Sequence, residues 1–450
     1  MTMHRLLLAL AVATPLVAAA APITLDEALA LAAQQSRDLD IAKADARLAS
    51  ADGLGSWQGV LPRLDLTTSA ARQYFGPSKV GRVDPVTGGI VPSNLGATDY
   101  NAYSFGLQFT QPIFDLGAFR RISQARASER AAGLGWDESR LSVAFDVTRR
   151  FYELVKAERT LQVLEKSAQR SAELVERSDA LYAAGRAQKI DTFSARVNLG
   201  NDRIQVAQGQ TRLVLARADL ALALGQPGDT DVQVVSPAGV EGTALPSGEP
   251  PPLEVLMARA RERRPSLAAA RAQVEAAEAS VSAARSSYLP VLSAQASYSR
   301  SGQEALDGNA SDGVFGDPSR NYSASAGLLL RWNLFAGRST EAGLARAEAS
   351  GDRVRATAGK TSDAVAREVT SARQAVVALT SQVTLSADNF SAAEQSLKLA
   401  RQRLEAGLAS QLEVRDASLK FTQAELSLVQ ARIDHAVATA DLARAVGGAI

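Results

Sequence analysis

The sequence predicts a mixed α and β membrane protein, built from two copies of one unit of long antiparallel, coiled-coil-like helices and amphipathic strands. The reading rests on three features. Leu39 through Pro62 aligns with Leu267 through Pro290 at a constant offset. Two helical runs, Leu116 to about Ala183 and Arg338 to about Leu404, would each extend on the order of 100 Å at ~1.5 Å per residue. Four further segments alternate apolar and small polar residues with the period of a strand.

The repeat continues beyond its first block. Ile113-Phe114 falls on Leu334-Phe335, Ala125-Arg126-Ala127 on Ala345-Arg346-Ala347, and Asp219-Leu220-Ala221 on Asp441-Leu442-Ala443. The period is too long for a small-repeat solenoid. The expected organisation is a signal peptide over 1–20, a first repeat over 21–225, a linker over 226–252 and a second repeat over 253–450. The signal follows from a basic start, an apolar run from Leu6 to Val17 and the small residues Ala18-Ala19-Ala20. That run is shorter than the roughly 20 residues a spanning helix needs. The linker reading rests on its Gly, Pro and Ser content.

Each copy opens with one helix, Thr24 to about Trp57 and about Leu253 to Ser287. The first begins on the capping-box pattern Thr24-Leu25-Asp26-Glu27. Strands follow at about 62–75 and 101–114, and at about 290–300 and 321–335. In the first, Leu64, Leu66, Thr68 and Ala70 oppose Arg63, Asp65, Thr67 and Ser69; in the third, Leu292, Ala294, Ala296 and Tyr298 oppose Ser293, Gln295, Ser297 and Ser299. Alternation of this kind is the signature of a transmembrane strand, with Trp332, Phe335, Phe114, Tyr74 and Phe75 as interfacial aromatics. The loops at about Gly76–Thr98 and Ser301–Arg320 read as long and polar. Along the long helix of copy one, Val147, Leu154, Leu161 and Ala168 recur at heptad spacing. A turn at Gly185 or Gly407 then reverses the chain into a return helix.

Four strands cannot close a barrel, and open edges are not tolerated in lipid, so the subunits must pool strands as an oligomer. The bland alternative is a soluble sheet packed on helices.

Composition excludes several function classes. The chain has no cysteine, so neither a disulfide framework nor an acyl anchor is expected. Its only histidines are His4, in the signal, and His435, read as an ordinary surface residue. Ser–His, Cys–His and His/Cys metal constellations cannot be assembled from that inventory, and no cofactor or metal is expected. With net charge +1 and interspersed signs there is no basic stripe for nucleic acid. Gly359-Lys360-Thr361 resembles the end of a phosphate-binding loop, but Val354 stands where the first glycine belongs.

The duplicated unit resembles the TolC family of outer membrane efflux proteins. The resemblance is carried by Arg403-Leu404-Glu405-Ala406-Gly407-Leu408-Ala409-Ser410, followed by Leu412-Glu413-Val414 and Asp416-Ala417. Copy one carries a looser version, Leu181-Tyr182-Ala183-Ala184-Gly185-Arg186-Ala187 with Ile190-Asp191, and Thr24-Leu25-Asp26-Glu27-Ala28-Leu29 resembles the family's mature start.

The resemblance implies a homotrimer in the outer membrane whose strands form one 12-stranded barrel, continued by a periplasmic α-barrel. It implies a passive exit duct of a tripartite efflux or type I secretion system. Its partners would be a periplasmic adaptor and an inner-membrane pump of the RND, ABC or MFS type. Glu413 and Asp416 would line the constriction, where crowded carboxylates favour cations; Asp191 matches an acid that helps hold the tip shut. The basic partner expected near Ala409 is absent, leaving Arg186, Lys189 or Arg415 as substitutes. Gly185 and Arg186, with Gly407, Leu408 and Ser410, would meet the adaptor. The alternatives are a non-conducting structural or adaptor protein bridging the periplasm, and a diffusion porin.

Overall fold

The computed structural model describes residues 22–237, 249–305 and 322–448. The signal peptide, the centre of the linker and most of the second polar loop lie outside the described residues. Chain contacts separate a sheet-bearing unit, Asp45–Gly133 with Ala268–Lys360, from a helical unit holding the rest. Among the described residues no helix is long and apolar enough to cross a membrane.

The first helix starts where its capping box dictates: the Thr24 N–H donates to Glu27 Oε2 (2.8 Å) and the Glu27 N–H to Thr24 Oγ1 (3.4 Å). It does not run unbroken to Trp57. The chain forms α1 (Leu25–Gln35) and α2 (Arg37–Gly55), with Ser36 extended between them. Copy two breaks at the aligned position, into α5 (Leu253–Arg263) and α6 (Pro265–Arg285) about an extended Arg264. There the cause was local: a residue before proline is pushed out of the helical region. At Ser36 it is tertiary. Gly225, at φ +80°, lies so close that a Cβ would stand 2.0 Å from the Gln35 carbonyl oxygen. Gly447, at φ +89°, presses likewise on Arg263, 2.8 Å from its carbonyl. In each copy the glycine that ends the return helix is seated on the break in the opening helix.

The long helices are α3 (Leu116–Ala183) and α7 (Ser339–Glu405); the return helices are α4 (Lys189–Ala223) and α8 (Gln411–Ala445). In the helical unit α3 lies between α4 and α8. Arg217 reaches Glu158 and Arg196 reaches Asp179 on one side, and Lys156 reaches Asp434 on the other. Phe390 of α7 packs on Phe421 of α8, with ring centroids 5.4 Å apart.

Two related cores hold this layer. Ala28, Ala32, Val147, Phe151, Leu154 and Leu220 are buried together in copy one, and Leu256, Ala260, Val369, Val376 and Leu442 in copy two. Burial of each large side chain contributes ~1.5–3 kcal/mol. His435 is half-buried rather than on the surface, and burial pushes its pKa down. Gly359-Lys360-Thr361 lies inside α7, without the strand–loop–helix setting a phosphate site requires.

The sheet-bearing unit holds β1 (Arg63–Phe75), β4 (Thr98–Phe114), β5 (Val291–Ala305) and β6 (Tyr322–Arg331), antiparallel in that order. Between β1 and β4 the expected polar loop folds into a hairpin of β2 (Ser78–Val83) and β3 (Ile90–Leu95). Its Val80, Val83, Ile90 and Val91 are exposed. The register keeps the alternation in phase across both copies. Leu66, Leu107, Tyr298 and Ala324 form one cross-strand row, and Asp65, Gln108, Ser297 and Ser325 form a row on the opposite face. Ser69–Ser104 (2.7 Å) and Ser297–Ser325 (2.8 Å) hydroxyl pairs tie the polar face. Gly106 packs closely there, since a Cβ would stand 2.8 Å from Thr67 Oγ1. The opposite face is left bare, with Leu64 and Leu66 at 64% and 63% exposure and Leu328 at 70%.

Candidate functional site at the helix tips

The two tip turns are built alike. The Arg186 N–H donates to the Leu181 carbonyl (2.8 Å) and the Gly185 N–H to that of Tyr182 (2.9 Å). At the second tip Leu408 donates to Arg403 (2.8 Å) and Gly407 to Leu404 (3.1 Å). Both are Schellman closures, and Gly185 (φ +66°) and Gly407 (φ +74°) occupy the left-handed position they need. The return helices are then capped. Ser410 accepts from the Glu413 N–H (3.2 Å), and Asp191 accepts from the Gln188 N–H (3.2 Å). Arg186 and Leu408 are exposed on the turns.

These caps place the candidate acids. Glu413 sits in the first turn of α8 and accepts a bond from Arg403 Nη1 at 2.8 Å. Asp416, one turn on, pairs with Lys420 at 2.6 Å. Both pairs are well exposed, so each contributes little to stability. Their consequence is electrostatic: each acid has a cation on the same chain. Asp191 faces a groove of about 200 Å³ between the first tip and the start of α8, lined also by Ser171, Leu174, Gln411, Leu412 and Arg415. The structure thus brings Glu413 beside Arg403 and sets Asp191 apart from both in that groove.

Of the basic substitutes named above, Lys189 stacks over Phe193 at 5.7 Å. Arg415 turns inward. It donates to Asp202 Oδ2 (2.9 Å) and Oδ1 (3.2 Å) and to Ser171 Oγ (2.7 Å), and the Ser171 hydroxyl also bonds Asp202. Arg415 and Asp202 are 11% and 12% exposed. This is a bidentate buried pair with an extra hydroxyl, the geometry in which desolvation is best offset. It ties α8 to both helices of the first tip.

A second junction lies farther along the same seam. Arg170 donates to Thr422 Oγ1 (2.8 Å) and stacks over Phe421 at 5.2 Å. Burial pushes the nearby Glu425 carboxyl up and the Arg170 guanidinium down, outweighing their mutual attraction.

Sequence reasoning missed Arg403, Asp202, Ser171 and Arg170. Only Arg403 had a signal, since it opens the tip motif and stands one helix turn before the reversal. No three His, Cys, Asp or Glu side chains converge to hold a metal among the described residues.

Long helices reversed by a glycine turn recur in both copies, and the sheet leaves one apolar face uncovered. Residues 28–226 and 256–448 match the family described as outer membrane efflux protein, and the chain belongs to that family. Its members are outer-membrane efflux channels, not an enzyme family. The chain is 27% identical to outer membrane protein OprJ of Pseudomonas aeruginosa, over 79% of this chain and 73% of that one. It is 25% identical to the pyoverdine export outer membrane protein OpmQ of the same species, over 94% and 85%. The fold matches the CmeC outer membrane channel of Campylobacter jejuni with a TM-score of 0.79 at 17% identity, covering 94% and 85% of the two chains.

Proposed function

We propose that the chain is the passive exit duct of a tripartite efflux or type I secretion system. Three copies pool their strands into one 12-stranded barrel, with the long helices forming a periplasmic tunnel. A periplasmic adaptor opens it, and an inner-membrane pump of the RND, ABC or MFS type drives it. The observation that carries this reading is the in-phase sheet, apolar and uncovered on one face and hydroxyl-lined on the other. Its edge strands β1 and β6 each have one unpaired side among the described residues. Such a sheet is untenable in water and is completed in lipid by copies of itself.

The helical layer supports the same conclusion. Ile190, Val197 and Ile204 stand exposed at heptad spacing on α4, and Leu385 and Leu399 on α7. Both helices carry an unpartnered stripe suited to a second copy. A non-conducting bridge across the periplasm would need neither the stripe nor the bare sheet.

Within this reading Glu413 and Asp416 line the constriction, with Arg403 and Lys420 moderating their charge. Asp191 belongs with them to the constriction and helps hold the tip shut, while the turns carrying Gly185 and Arg186, and Gly407, Leu408 and Ser410, receive the adaptor. The test is single-channel recording of the purified protein in a planar bilayer. The wild type is expected to conduct with a modest cation preference. Glu413→Ala/Asp416→Ala should abolish that preference, and Arg403→Gln should increase it. Selectivity unmoved by both variants removes the constriction from these residues. No current from folded, inserted protein overturns the duct.

A further inference from the structure

The two outer edges of the sheet fit each other in one register, and the duplication supplies it. Superposing copy one on copy two carries the paired residues Arg63 and Thr110 onto Val291 and Arg331, which also pair. The same superposition carries the Ser69–Ser104 hydroxyl pair onto Ser297–Ser325, and Gly106 onto Gly327. The hairpins β1–β4 and β5–β6 are thus one structure built twice. They are joined by β4 against β5, in a register that sets Thr110 opposite Gln295, Leu107 opposite Tyr298 and Ser104 opposite Ser301.

In this correspondence β6 stands for β4, and β1 for β5. A ring of like hairpins repeats the β4–β5 joint wherever β6 of one copy meets β1 of the next. Carried over, the joint sets Arg331 opposite Thr67 of the next copy, Leu328 opposite Ala70, and Ser325 opposite Gln73. Both edges are bare in the single chain. β6 is exposed along its whole length, and β1 along nearly all of it.

We propose that β6 docks on β1 of a second copy in this register, and that Arg331 there reaches Asp65 of that copy. The inference rests on the barrel reading, which supplies the second copy. Phase favours it first. Leu328 and Leu330 continue the apolar face of β1, and a slip of one residue would turn every side chain to the wrong face. Size favours it next. On the apolar face Leu330 meets Thr68, Leu328 meets Ala70, Ala326 meets Arg72 and Ala324 meets Tyr74, a large residue against a small one in each row. A slip of two residues sets Leu328 against Arg72 in one direction; in the other it sets Leu330 against Leu66 and Ala326 against Ala70, and the interdigitation is lost. Charge completes the fit. Arg331 is exposed on the polar face and makes no hydrogen bond or ion pair among the described residues. Asp65 of the next copy lies diagonal to it, within reach of a long side chain. That carboxylate is 42% exposed, with Arg63 as its ion-pair partner at 2.7 Å.

The chain has no cysteine, so introduced pairs of cysteines read the seam directly. Direct cross-strand partners stand about 4.5–5.5 Å apart at Cα, within disulfide reach, whereas a diagonal pair at ~7–8 Å is not. In one chain β1 and β6 are held about 14 Å apart by the two strands between them, so any bond formed joins two chains. Full-length protein in membranes carries Leu328→Cys with Ala70→Cys, or Leu329→Cys with Ser69→Cys. It is oxidised and run on denaturing gels with and without reductant. Neighbouring pairs alternate between the wider, hydrogen-bonded kind and the closer kind, so one of the two is of the closer kind. That pair at least should give a covalent trimer that reductant dissolves. Leu328→Cys with Thr68→Cys, or with Arg72→Cys, should leave monomer. A slipped pair that links as readily as the expected ones overturns the register. No trimer from either expected pair, in protein that conducts, overturns the seam and leaves the duct. Arg331→Gln and Asp65→Asn should each lower the temperature at which the native trimer dissociates, and the double variant should lose little more than either alone. Strict additivity removes the ion pair. Folded, inserted protein that neither links nor conducts defeats the duct itself.

Discussion

Arg264 is the residue whose removal should cost most. Its side chain is 4% exposed and stands at the break between α5 and α6. It reaches Glu138 of α3 at 2.7 Å and Glu368 of α7 at 3.2 Å, and it also donates to the Arg444 carbonyl at the end of α8. Arg444 in turn bonds Glu368 and, at 2.7 Å, Asp441, and stacks over Phe145 at 5.0 Å. Arg264→Ala removes a cation from Glu138 and leaves Glu368 with Arg444 alone. Stripping one partner from a buried pair costs ~3–5 kcal/mol. Because Glu138 and Glu368 keep 22% and 28% exposure, water reaches them, and the lower figure applies. About 3 kcal/mol corresponds to a fall of roughly 6–12 °C in the unfolding midpoint for a unit of this size. The assay is thermal unfolding followed by circular dichroism at matched scan rates. A double-mutant cycle with Glu138→Gln accompanies it, where the contact should appear as coupling of at least ~1 kcal/mol. A midpoint shift under about 2 °C, or strict additivity in the cycle, would rule out this buried-pair account.

Two further outcomes follow from the same physics. Gly225→Ala should destabilise the helical unit more than Gly185→Ala, because both strain a left-handed residue but only Gly225 abuts a backbone carbonyl; the comparison is read from the same thermal melts. Glu425→Gln should stabilise the protein at neutral pH. Burial raises the folded-state pKa of Glu425 above 4.5, so the folded state binds more protons than the unfolded state between the two pKa values. Its ionisation therefore costs stability as pH rises through the folded pKa. The advantage of the glutamine variant should shrink as pH falls toward 4.5, and an advantage independent of pH would contradict the assignment.

Much of this protein is legible in its sequence because much of it is decided by near neighbours. The capping box at Thr24, the glycine at each tip and the period-two face of each strand involve residues a few positions apart. The duplication extends such local readings, since a pattern seen twice is less easily accidental. The break before Pro265 is equally local; the break at Ser36 is set by Gly225, arriving from the far end of the copy. The β2–β3 hairpin was hidden because its turn, Asp84-Pro85-Val86-Thr87-Gly88-Gly89, reads as generic polar loop.

Which side chains meet across the fold is a matter of long-range packing. It placed β4 of copy one beside β5 of copy two, so that the apolar rows of both copies form one continuous face. It turned Arg415 inward to Asp202 and gathered Glu138, Glu368 and Arg444 from three helices around Arg264 at the α5–α6 break. The physical reason is one of range: backbone conformation and face periodicity answer to neighbours within about a helical turn. Ion pairs and cross-strand rows instead join residues separated by tens to hundreds of positions, and the strength of a buried charge depends on everything packed around it. Local pattern sets the kind of surfaces this chain presents; the packing of distant segments sets which of them face each other.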